Sequence, residues 1–85
     1  YQAGAWGIRT ETLVIVTAPD DKGFSGFETV TLCPIDRNLI DVDLLLPTEC
    51  DWLNAYHAEV MEKLAPELAG ETACLDWLTA ACAPV

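Results

Sequence analysis

The first hydrophobic segment of the chain, residues 7–17, is rich in β-branched side chains and predicts a strand. Because side chains alternate along a strand, Arg9 and Glu11 share one face. Two large apolar side chains, Leu13 and Ile15, continue that face. A charge in such a position is costly unless a partner charge, hydrogen bonds or a metal ion compensates it.

The residues alone leave two interpretations of this pair open. Arg9 and Glu11 could bind each other at a solvated strand end, or Glu11 could be a functional carboxylate. Structural ion pairs are commoner than functional ones, so the segment by itself favours the ion pair.

A turn and a second strand follow. Residues 20–23 (Asp-Asp-Lys-Gly) are typical of a turn, and residues 27–35 predict a strand that Pro34 ends or places at an edge. The segment 34–43 is expected to be irregular, with its aspartates in local Asx-type turns.

Two helices are predicted in the remainder of the chain. The first begins near Pro47 with Thr48 as its N-cap and Asp51 completing a capping signal, and it ends or kinks at Pro66. Its apolar positions recur at helical spacing: Leu53, Tyr56, Val60 and Leu64. The second helix covers residues 72–81. The predicted fold class is α+β, a β-hairpin packed with two C-terminal helices.

Composition suggests that the chain is part of something larger. A sequence of 85 residues allows one small domain, yet 52% of the residues are apolar and three are Trp. Some of that surface is expected to face another chain or a larger body from which this piece is cut. The net charge of −10 argues against nucleic-acid or anionic-membrane partners, and no apolar run is long enough for a transmembrane helix.

The four cysteines form no CxxC pair, so a zinc or thioredoxin-type site is not indicated. They are expected to be reduced, buried thiols in a cytoplasmic protein. His57, the only histidine, lacks the second histidine of an HExxH site and is expected on a packing margin or in water.

Three stretches together resemble the C-terminal part of cytosolic-type aminopeptidase P (Xaa-Pro aminopeptidase), a creatinase-like metallopeptidase with the pita-bread fold. They are residues 3–11, which contain Gly-Ile-Arg-Thr-Glu; residues 26–36 with Leu39-Ile40-Asp41; and residues 51–57 (Asp-Trp-Leu-Asn-Ala-Tyr-His) with Trp77-Leu78 and Pro84. They occur in the family's order and span nearly the whole chain.

The resemblance implies a role for Glu11. In this family two divalent metal ions, usually manganese, are held by two Asp, one His and two Glu, and the last Glu belongs to the Gly-Ile-Arg-x-Glu strand. By resemblance Glu11 is a metal ligand, and Arg9 orients a metal-bound carboxylate. Tyr1 is similar to the end of a Glu-Pro-Gly-Tyr-Tyr motif, so the other ligands would precede this chain.

The resemblance also implies a function for the full-length protein: release of the N-terminal residue that precedes proline in a peptide. Residues 1–26 would be the end of the catalytic domain, with the last pita-bread strand. Residues 27–85 would be a C-terminal extension that forms a homodimer. The fragment alone is expected to be inactive and to hold no cofactor.

The alternative is a non-catalytic dimerisation or interaction module related to that extension. Glu11 would then be only an ion-pair partner. Two observations would count against the peptidase: a Glu11 side chain in bulk water, or a gene that supplies no companion ligands upstream.

Overall fold

A computed structural model describes all residues, 1–85, as two compact units: unit 1, Tyr1–Thr31, and unit 2, Leu32–Val85. Unit 1 contains the strands β1 (Val14–Val16) and β2 (Phe27–Thr29). Unit 2 contains the helices α1 (Pro47–Leu64) and α2 (Thr72–Ala81). Three short 3₁₀ turns complete unit 2: Arg37–Leu39, Val42–Leu44 and Ala65–Leu68. The predicted α+β class is confirmed.

The hairpin of unit 1 is antiparallel, with Ile15 opposite Glu28 at the centre of the pairing. Asp20 shapes the connection, because its Oδ1 accepts hydrogen bonds from two backbone N–H groups, those of Lys22 and Phe24, both at 2.9 Å. Gly23 adopts a φ of 83°, which a residue with a Cβ rarely tolerates. The turn prediction is therefore confirmed.

Both strands are much shorter than the sequence pattern predicted. The predicted strands covered residues 7–17 and 27–35, whereas ladder pairing joins only three residues of each strand. A strand needs a hydrogen-bonded neighbour as well as suitable side chains. Within this chain regular pairing is confined to the part of the hairpin nearest the turn.

Helix α1 begins differently from the prediction. Leu46, not Thr48, is the N-cap, and Pro47 is the first helical residue. Proline suits this position because its φ is fixed near the helical value and its missing N–H would have no intrahelical partner. The Glu49 carboxylate accepts a hydrogen bond of 2.8 Å from the Leu46 N–H, so Asp51 is not the capping acid.

The end of α1 and the whole of α2 agree with the sequence pattern. A 3₁₀ turn containing Pro66 follows α1, and Gly70 reverses the chain with a φ of 89°. Helix α2 has the predicted bounds. The buried side chains of unit 2 are Leu53, Tyr56, His57, Val60, Leu78 and Cys82.

Candidate functional site

The predicted site residues of unit 1 form an exposed ion pair. Arg9 Nε lies 2.7 Å from Glu11 Oε1, and the two side chains are 67% and 64% exposed. A solvated pair of this kind contributes about 0–1 kcal/mol to stability. The ion-pair interpretation of the sequence predicted such a contact, and an exposed Glu11 side chain counts against the peptidase hypothesis.

The donor chemistry of Glu11 nevertheless suits a hard divalent cation. Arg9 Nε contacts Oε1 of an exposed carboxylate, and carboxylate oxygens are preferred by manganese and magnesium. No group of three or more His, Cys, Asp and Glu side chains in the chain could hold a metal ion. The chain therefore offers a single suitable ligand at this position.

Both faces of the unit 1 hairpin carry exposed apolar side chains. Leu13 and Ile15 on one face, and Val14 and Val16 on the other, are each at least 46% exposed. A two-stranded hairpin is at best marginally stable in water, and an apolar patch of this extent is typical of an interface. This surface agrees with the excess of apolar residues noted in the sequence.

His57 is buried, contrary to the expectation from the sequence. It was expected on a packing margin or in water, but it is 0% exposed in the centre of unit 2. Its Nε2 accepts a hydrogen bond of 3.1 Å from the Ile35 N–H. A helical signal was available, because position 57 lies four residues after Leu53 and three before Val60, on the same face.

The surroundings of His57 favour its neutral form. Burial, and secondarily the positive charge of Arg37, lower the pKa of His57 from its usual value. Because Nε2 is an acceptor, the proton of the neutral ring lies on Nδ1, which is buried without a hydrogen-bond partner in the chain. The imidazole thus fixes the backbone at Ile35 and does not act as an exposed base.

Tyr56, the neighbour of His57, fixes the same segment two residues earlier. Its hydroxyl donates to the Cys33 carbonyl at 3.0 Å and accepts from the Cys33 N–H at 3.3 Å. Its ring stacks on Trp52 with 5.5 Å between the centroids. The consecutive residues Tyr56 and His57 of α1 therefore hold the backbone of residues 33–35.

The C-terminal residues are tied to the same unit. Arg37 donates from its guanidinium to the carbonyls of Ala83 and Pro84. The Val85 N–H donates to Asn54 Oδ1 at 2.8 Å. Arg37 and Asn54 are thus structural residues of unit 2.

The cysteines are free, but the expectation that all are buried is wrong. Only Cys82 is buried; Cys50 is intermediate, and Cys33 and Cys74 are exposed. Apolar neighbours in the sequence do not ensure that a cysteine is buried. Cys33 and Cys74 have such neighbours, yet both line an open groove between the start of unit 2 and α2. Trp77, which is exposed, lines the same groove.

Comparison with known proteins identifies the family to which this chain belongs. The sequence model of the family described as "C-terminal region of peptidase_M24" matches residues 23–85. The chain belongs to this family.

Individual relatives in this comparison are named as aminopeptidases P. The chain is 47% identical to a "Probable Xaa-Pro aminopeptidase P" of Laccaria bicolor, over 100% of the chain and 14% of that protein. It is 47% identical to "Aminopeptidase P2" of Arabidopsis thaliana, over 85% of the chain and 11% of that protein. The resemblance to aminopeptidase P found in the sequence is confirmed.

A solved structure gives the same result. An X-prolyl aminopeptidase from Caenorhabditis elegans, described as a cytosolic enzyme with a di-nuclear active site, matches 100% of the chain with a TM-score of 0.84 and 34% sequence identity. The match covers 15% of that protein. The chain thus spans only about one seventh of the length of the first relatives it matches. None of its helices is long and apolar enough to cross a membrane.

Proposed function

We propose that this chain is the C-terminal part of a dimetal Xaa-Pro aminopeptidase, which hydrolyses the peptide bond between an N-terminal residue and a following proline. The similarity over the full length of the chain to proteins of that name carries the proposal. The substrates would be peptides with proline in second position, and the compartment the cytoplasm, as described for the nematode enzyme.

Glu11 would be the residue of this chain that binds the metal pair. Both side chains of the Arg9–Glu11 pair are exposed, so a catalytic domain could approach the carboxylate without breaking a buried contact. Arg9 would be a positioning residue, because its Nε holds Oε1 and thereby orients the carboxylate. When bound, two divalent ions, manganese in this proposal, supply Lewis-acid activation of water and of the scissile carbonyl.

The remaining ligands would come from polypeptide upstream of Tyr1. The fragment alone should therefore neither bind manganese tightly nor cleave Xaa-Pro peptides. We place the end of the catalytic domain at residues 1–26 and the extension at residues 27–85. The family match begins at residue 23 and unit 1 ends at Thr31, which brackets this boundary.

The metal role of Glu11 can be tested in the full-length protein with Glu11→Gln and, as a matched control on the same hairpin, Glu28→Gln. Glu28 is exposed and lies in β2. Glu11→Gln should lower bound metal, measured by elemental analysis, together with turnover of an Xaa-Pro peptide, whereas Glu28→Gln should change neither. Equal metal content and activity in the two variants would remove Glu11 from the site.

The non-catalytic module remains the second candidate, favoured by the solvated Arg9–Glu11 pair. The coding sequence upstream of Tyr1 separates the two. A segment ending in Glu-Pro-Gly-Tyr, with two Asp and one His further back, supports the peptidase; a gene without these residues supports the module.

We further propose that the extension pairs two protomers. The exposed Trp52 and Trp77 of unit 2 are typical of side chains that form interfaces. Size-exclusion chromatography with light scattering should show self-association of the chain, and Trp77→Ala should weaken it. A monomer at high protein concentration would argue against a dimer through this surface.

A further inference from the structure

Two of the four cysteines, Cys33 and Cys82, lie against the same part of unit 2. Cys33 lines the apolar groove that contains Leu78 of α2, and it lines a second groove with Ala80 and Ala81. Cys82 directly follows these residues as the C-cap of α2. Cys33 therefore shares a groove with the final turn of the helix that Cys82 ends.

Tyr56 provides a second connection between the two cysteines. Its hydroxyl holds both backbone polar groups of Cys33. Its ring belongs to the buried cluster that contains Cys82, and the neighbours of Cys33 on this side, Leu32 and Ile35, pack on the same cluster. Both cysteines are thus placed around one rigid side chain.

The two thiols differ in their access to solvent. Cys33 is exposed, whereas Cys82 is buried. Burial, and secondarily the neighbouring Cys33, raise the pKa of Cys82, so this sulfur remains a protonated thiol under ordinary conditions. A dissolved oxidant would meet Cys33 first.

We propose that Cys33 and Cys82 form an intramolecular disulfide when the chain meets a peroxide, with Cys33 as the first sulfur oxidised and Cys82 as the resolving thiol. Nothing in this proposal depends on the peptidase activity. The bond would link the start of unit 2 to the end of α2 and close most of the unit into one covalent loop.

The chemistry balances with hydrogen peroxide as the oxidant. The Cys33 thiolate attacks one peroxide oxygen, the O–O bond breaks, and Cys33 becomes a sulfenic acid while the other oxygen leaves as water after protonation. The Cys82 sulfur then attacks the Cys33 sulfur, the S–O bond breaks, and the thiol proton leaves with the oxygen as a second water. Two thiols lose two electrons and one peroxide is reduced to two waters.

Disulfide geometry requires the two Cα atoms to lie about 4.4–6.8 Å apart. The Cys33 thiol lies 3.7 Å from the Pro34 carbonyl, to which it is a weak donor. Rotation of this exposed side chain towards Cys82 would give up only this weak contact.

The test is peroxide treatment of the folded chain, alkylation of the remaining thiols, and digestion with a protease that cuts after acidic residues. This digestion puts Cys33 in peptide 29–36, Cys74 in peptide 72–76 and Cys82 in peptide 77–85. The expected product is peptide 29–36 joined to peptide 77–85, lighter than the two separate peptides by two hydrogen atoms and released by dithiothreitol.

Matched variants make the result specific. Cys50→Ser and Cys74→Ser should form the link like the unmodified chain, whereas Cys33→Ser and Cys82→Ser should lose it. Because a hydroxyl at position 82 could disturb the core, Cys82→Ala is a second variant, with circular dichroism to verify folding.

Three results would overturn the proposal. They are a link between peptides 29–36 and 72–76, a link only between two chains, and further oxidation of Cys33 with no link at all. Cys74 makes the first a real competitor, because it is exposed and lines a groove with Cys33.

Discussion

Removal of one oxygen atom, by Tyr56→Phe, tests whether α1 anchors the backbone at Cys33. The substitution keeps the ring, its stacking on Trp52 and its place in the core, and it deletes only the hydroxyl. That hydroxyl makes two hydrogen bonds, at 3.0 Å to the Cys33 carbonyl and at 3.3 Å from the Cys33 N–H. Any loss of stability is therefore attributable to the contacts of this hydroxyl.

The expected magnitude follows from their geometry. A hydrogen bond of this kind contributes about 0.5–1.5 kcal/mol, and the bond of 3.3 Å is longer than the usual N–H···O range, so it belongs at the low end. The site is only partly buried, so water can replace part of what is lost. We expect the free energy of unfolding to fall by about 1–2 kcal/mol.

Urea unfolding, followed by circular dichroism, measures this difference. With an m-value of about 1 kcal/mol/M for a domain of this size, the midpoint should fall by roughly 1–2 M. Tyr1→Phe is the matched control, because Tyr1 is 83% exposed and the same atom is deleted there. If both variants unfold at the same urea concentration as the unmodified chain, the Tyr56 hydroxyl does not anchor Cys33.

The other predictions also concern unit 2. Because burial and then Arg37 lower the pKa of His57 below 6.5, the unfolded chain binds the proton more tightly than the folded chain. The stability supplied by neutral His57 should be complete above about pH 6.5 and decline as the pH falls from there towards the lowered pKa. Urea midpoints at a series of pH values measure this decline. A His57→Gln chain whose midpoint changes with pH to the same extent would contradict the prediction. Leu78 is 2% exposed, so Leu78→Ala should lower the free energy of unfolding by about 2–5 kcal/mol in the same assay. Leu44 is 79% exposed, so Leu44→Ala should change it by no more than about 0.5 kcal/mol. Similar losses in both variants would show that Leu78 is not a core residue.

Local sequence signals determined the helices and the turns. Gly70, Pro66 and Pro84 delimit α2 and its surroundings, and helical spacing identified Leu53, Tyr56 and Val60 as buried. Asp36 and Asp41 accept hydrogen bonds from backbone N–H groups two residues on, as the pattern predicted. These features involve residues close in the chain, so sequence alone suffices to find them.

The sequence was less informative about structural features that depend on a residue far away in the chain. The length of a strand depends on the backbone with which it pairs, and regular pairing in this chain is confined to β1 and β2. The burial of His57 depends on the Ile35 N–H, which lies 22 positions away. The spacing of position 57 places it on the buried face of α1, but no local signal identifies the partner that a buried imidazole needs.

The amino-acid order by itself determined the fold class, the bounds of α2 and the family, because helix signals are local and the motifs at residues 3–11, 26–36 and 51–57 are read directly. Tertiary structure alone decided that Cys33 is exposed while Cys82 is buried, and that Tyr56 and His57 hold residues 33–35. The physical reason is that exposure and hydrogen bonding between segments arise only when α1, α2 and the start of unit 2 pack together. Glu11 combines the two: its motif and its possible pairing with Arg9 are in the sequence, whereas the exposure of its side chain is known only from the structure.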